Sequence, residues 1–77
     1  INENKKIFKF YEIVGKYDKA EDILFYMIKK SNKDKNIIAV GISYYERLKN
    51  LSDEMLECGN LSREEIEDSY KELMNIC

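Results

Sequence analysis

The stretch GKYDKAED, residues 15–22, decides how this chain folds. Gly15 is free to take the left-handed conformation that closes a helix. Tyr17 is placed to pack over the turn. Asp18 suits the N-cap of a following helix, and Glu21 stands three residues later, where a capping box puts Glu. Ala20 is small enough to let two helices approach. These residues together read as a tight turn between two antiparallel helices.

Upstream of the turn, Ile7, Phe10, Tyr11 and Val14 fall at i, i+3, i+4 and i+7, which predicts a first helix over about 4–15 with that face inward. Downstream, the apolar run ILFYMI (23–28) sits between a cap and good helix formers, so the spacing predicts a second helix over about 18–31. Being apolar nearly all round, it is expected to be the most buried. KKSNKDKN, 29–36, is a polar, turn-rich linker whose lysines read as a solvated loop.

Next, Ile37, Gly41, Tyr44, Leu48, Leu51, Met55 and Cys58 recur at alternating spacings of four and three. That stripe predicts one long third helix over about 36–58, with Ser52 and Asp53 as a place where it can kink or restart. Gly41 costs about 1 kcal/mol in mid-helix relative to Ala, so its place in the stripe predicts a close helix crossing. GNLSREE, 59–65, then echoes the opening turn. Gly59 ends a helix, Ser62 and Glu65 make a capping box, and Leu61 and Ile66 form the hydrophobic staple. A fourth helix over about 62–76 follows, with Ile66, Tyr70, Leu73 and Cys77 inward. The expectation is an all-α fold over 1–77, a single domain of four helices in two antiparallel hairpins. It would form an up-down bundle like a tetratricopeptide repeat.

Composition narrows the function. With 36% charged residues, a net charge of −2 and both signs mixed, the chain lacks the basic excess of a nucleic-acid binder. Histidine is absent, which removes the commonest acid–base group. The three glycines are isolated and form no phosphate loop. Cys58 and Cys77 have no metal or redox spacing and read as reduced thiols of a cytoplasmic protein. In the acidic group Glu64, Glu65, Glu67 and Asp68, the earlier charges fall in a first turn and complement a helix dipole. No apolar run nears the ~18 residues of a membrane span. We therefore expect no enzyme, cofactor, metal, membrane or nucleic acid.

The turn GKYDKA is similar to that of a tetratricopeptide repeat, although Gly59 arrives later than that repeat's 34-residue period allows. More of the chain, residues 17–68, resembles a family of small helical proteins of Gram-positive bacteria. The resemblance rests on YDKAEDILF and YYERLKNLSDEMLECGNLSREEIED. It implies an all-helical, repeat-like fold and a further amino-terminal segment, so that this chain would be the C-terminal part of a slightly longer protein. It implies no activity and no site residue.

What remains is a surplus of aromatics. Adjacent pairs cannot all face inward, so one of Tyr44 and Tyr45, one of Phe25 and Tyr26, and one of Phe8, Phe10 and Tyr11 are expected to be exposed. Phe8, Phe25, Tyr26, Tyr44 and Tyr45 are thus the candidate contacts for a protein partner or a second copy of the chain. The alternative expectation is an accessory domain of a nucleic-acid-associated regulator.

Overall fold

The computed structural model describes residues 2–76, as five helices: α1 (Asn2–Ile13), α2 (Tyr17–Lys30), α3 (Lys35–Lys49), α4 (Asp53–Cys58) and α5 (Arg63–Ile76). The all-α class holds and the count of four does not. The expected third helix, 36–58, is two helices separated at Asn50–Ser52. Ser52 accepts from the Met55 amide at 3.2 Å and so begins α4 as its N-cap. Arg63 closes the break from outside: it donates to the Lys49 carbonyl at 3.0 Å, the Leu51 carbonyl at 2.7 Å and the Asp53 carboxylate at 2.8 Å. One guanidinium thus satisfies carbonyls that the end of α3 leaves unpaired.

Helix α1 lies against α2, α3 against α5, and α2 also meets α3. All five helices contribute to one buried cluster, from Phe8 on α1 through Leu56 on α4 to Ile66 and Leu73 on α5. The close crossing expected at Gly41 is present. A Cβ there would stand 2.8 Å from Leu73 Cδ1 and 3.1 Å from Leu24 Cδ2, so α2 and α5 both press on α3 at this point. Because α3 is covered from two sides, it buries six residues, against five on α2.

The two echoing turns meet in space. The Asp18 amide donates to the Gly59 carbonyl at 3.0 Å, and Asn60 Nδ2 donates to the Asp18 carboxylate at 3.0 Å. Asp18 is therefore no N-cap; α2 starts at Tyr17 behind Lys16, which makes no side-chain capping bond. Asn60, not Gly59, takes the left-handed conformation after α4, at φ 59°. Gly59 is needed for a different reason: a Cβ there would overlap the Tyr17 ring at Cδ2 and stand 2.8 Å from the Gly15 carbonyl oxygen. Gly15 does close α1 in the left-handed region, at φ 82°. The second capping box forms as expected, with the Glu65 amide donating to Ser62 Oγ at 3.1 Å and the Ser62 amide donating to Glu65 Oε1 at 3.3 Å. Leu61 and Ile66 are both buried beside it. The place of Cys77 lies outside the described residues.

The Gly59 contact gives a clear expectation. Gly59→Ala is predicted to cost about 2–3 kcal/mol through overpacking, which for a domain of this size lowers Tm by roughly 10–20 °C. Gly15→Ala, where the space is open and only the left-handed backbone is strained, is predicted to cost about 1–2 kcal/mol. Thermal melts followed by circular dichroism rank the two; an equal or reversed order contradicts the docking of the turns.

Candidate interaction surface

Three of the five aromatic candidates are interior. Phe8 is buried, and Tyr44 and Tyr45 are both 0% exposed. The expectation that one of the two tyrosines faces solvent fails because α3 is covered by α2 on one side and α5 on the other. Each hydroxyl finds a partner. Tyr44 donates to the Tyr17 carbonyl at 2.9 Å, and Tyr45 donates to Glu21 Oε2 at 2.6 Å. The Phe8 ring meets Tyr44 edge-on at 4.9 Å, and Tyr44 lies 5.2 Å from Tyr45. Of the remaining candidates, Phe25 is half-buried against the core and Tyr26 is half-exposed.

Glu21 therefore has a different role from the one its spacing suggested. Instead of capping α2 it turns inward and accepts from Tyr45 on α3 and, at 3.3 Å, from Ser69 on α5. Three helices meet at one carboxylate. Burial raises the Glu21 pKa above its ordinary value, against the lowering effect of these two donors. Burial, reinforced by the bond to Glu21, pushes the Tyr45 hydroxyl well above the usual phenol range. The Tyr44 hydroxyl is raised chiefly by burial too. At the turns, the Asn60 bond holds the Asp18 carboxyl below its ordinary value.

The largest group of exposed apolar side chains lies on α1 and the residue after it; Tyr26, Met55, Met74 and Ile76 are exposed on α2, α4 and α5. The expected inner face of α1, Ile7, Phe10, Tyr11 and Val14, is mostly its outer face. Phe8 and Tyr11 pack inward, while Ile7 is 41% exposed, Phe10 57%, Val14 48% and Ile13 83%. Helix α1 is apolar on two sides, and the Phe8–Tyr44 contact selects which side goes in. Phe10 was one of three aromatics from which an exposed residue was expected; Ile13 was not foreseen.

Next to this face, an open groove of about 580 Å³ runs between α1 and α3, lined by Phe8, Ile13, Ala39 and Val40 with the polar Lys9, Asn36 and Ser43. It is bridged by Glu12 and Arg47, whose guanidinium donates twice to the carboxylate, at 2.8 Å each. Just past the C-terminal end of α1, Val14 and Met55 line a second depression. Among the described residues no group of three or more His, Cys, Asp or Glu is arranged to hold a metal ion. No described helix is long and apolar enough to cross a membrane.

The fold and this surface define an all-helical protein with one unpartnered apolar helix face. The chain belongs to a family of unknown function, DUF6483, which matches residues 2–77. Neither the curated proteins nor the solved structures offer a match to it.

The Glu21 network has a testable sign. With its folded pKa above the ordinary 4.5, Glu21 favours the fold most when protonated. That contribution is fully present below about pH 4.5 and is lost as pH rises through the raised folded value. Glu21→Gln keeps an oxygen for Tyr45 and removes the charge. Its Tm relative to the natural chain is predicted to be higher at pH 7 than at pH 4. Melts at the two pH values check this, and a difference that does not change with pH contradicts it.

Proposed function

We propose that this chain is a non-enzymatic helical interaction module of the bacterial cytoplasm, with a protein as its ligand. The observation that carries the proposal is the outer side of α1. Four large apolar side chains stand exposed together, Ile7, Phe10 and Ile13 on a twelve-residue helix whose inner side is packed and Val14 on the residue that follows it. Scattered single apolar residues need no explanation, but a contiguous row on one element marks a binding site. The absence of histidine and of a phosphate loop supports a binding role over a catalytic one.

The groove between α1 and α3 supports the same reading. In a tetratricopeptide-like arrangement the first helices of successive hairpins line the binding face, and here α1 and α3 line the groove together. Glu12 and Arg47 satisfy each other across it, so a ligand that enters meets Phe8, Ile13, Ala39 and Val40 beside a neutralised ion pair. An extended or helical peptide with apolar anchors fits that chemistry.

Phe10→Glu/Ile13→Glu tests this surface without touching the core. The double variant is predicted to keep its helical spectrum and its Tm within a few degrees. It is also predicted to lose at least tenfold in affinity for peptides selected by display on the natural chain. Selected peptides that bind both proteins equally would contradict the assignment of the site to α1.

A further inference from the structure

We infer that the partner of the α1 face is a second copy of this chain, joined through antiparallel α1 helices about a twofold axis. The inference rests on the reading of α1 as a binding surface and names its occupant. At 100° per residue, Glu3, Ile7, Phe10 and Val14 form one stripe along the solvent side of α1, spaced four, three and four. This is the spacing of a helix-pairing seam, with Lys6 and Ile13 together along one of its edges.

The charges choose the direction. Glu3 is exposed at one end of the stripe and Lys16 is exposed just past the other end. Neither appears in an ion pair among the described residues, where the pairs are Arg47–Glu12 and Arg63–Asp53. A parallel pairing would set Glu3 against Glu3 of the second copy inside an apolar seam. An antiparallel pairing sets Ile7 against Phe10 of the second copy, twice. It brings Glu3 near Lys16 of the second copy at each end, and lays the Lys6 stem over Ile13 of the second copy. The apolar centre of the stripe and the charges at its two ends then each have a complement.

The area also fits. The exposed parts of Ile7, Phe10, Ile13 and Val14 amount to roughly 400–500 Å², within the range of a functional surface patch. A standard interface buries about 800 Å² per partner, and a homodimer interface is about 65% apolar, which asks for roughly 500 Å² of apolar surface. The stripe meets that need once Met55, which shares a depression with Val14, is included.

Sedimentation equilibrium from about 5 µM to 1 mM, with charge-swap variants, tests the pairing. The natural chain is expected to dimerise within that range, and Phe10→Glu to remain a monomer throughout. Glu3→Lys and Lys16→Glu are each expected to weaken the dimer about two- to fivefold, as an exposed ion pair does, and the double swap Glu3→Lys/Lys16→Glu to restore it to within about twofold. A double swap no tighter than the singles overturns the antiparallel arrangement. A natural chain that is monomeric at 1 mM overturns the dimer. If display-selected peptides still depend on Phe10 in that case, the α1 surface stands with a different occupant; if they do not, the surface falls as well.

Discussion

The contact on which the rest of this structure depends is the docking of one turn on another, Gly15–Asp18 against Gly59–Asn60. Its centre is the Tyr17 ring lying where a Gly59 side chain would be. Around it, the Asp18 amide donates to the Gly59 carbonyl and the buried Tyr44 hydroxyl donates to the Tyr17 carbonyl. Three elements far apart in sequence are thereby fixed by backbone groups at one end of the molecule. A bond to a carbonyl leaves little freedom of register, and an unpaired buried hydroxyl would cost about 1–3 kcal/mol. With this end locked, α2 and α5 are held on α3 closely enough to exclude a Cβ at Gly41.

The lock has a consequence at the surface. Helix α3 is enclosed between α2 and α5, so its adjacent tyrosines both become core residues. They consume the polar capacity of Tyr17 and Glu21 and contribute nothing outside. Helix α1 sits at the margin of this arrangement. Phe8 and Tyr11, with the Glu12–Arg47 pair, hold its place, and its remaining apolar side chains are turned outward. The surface available for binding is what the packing of the two tyrosines leaves over.

Local signals in the sequence were legible where local physics decides. The capping box at Ser62 and Glu65, the staple of Leu61 and Ile66, the left-handed Gly15 and the close crossing at Gly41 all follow from nearest-neighbour chemistry. The same capping pattern at Asp18 and Glu21 was misleading. Both side chains have partners more than twenty residues away, Asn60 for one and Tyr45 for the other, and these outcompete the local bond. Periodicity likewise could not see the break at Asn50–Ser52, because Leu51, Met55 and Cys58 keep the phase of α3 across it. The signal was Ser52 itself, completed by the distant Arg63. On α1, periodicity chose the larger of two apolar faces as the inner one, and that face proved to be mostly outside. The binding surface was therefore legible as a surplus of aromatics and not as an address.

The turn-on-turn lock is tested most directly by amide hydrogen exchange at Asp18. If the bond to the Gly59 carbonyl joins the two turns, this amide exchanges only when the whole domain unfolds, at the rate of the Leu24 and Met27 amides in the middle of α2. An Asp18 amide that exchanges orders of magnitude faster, as a fraying first turn would, contradicts the account.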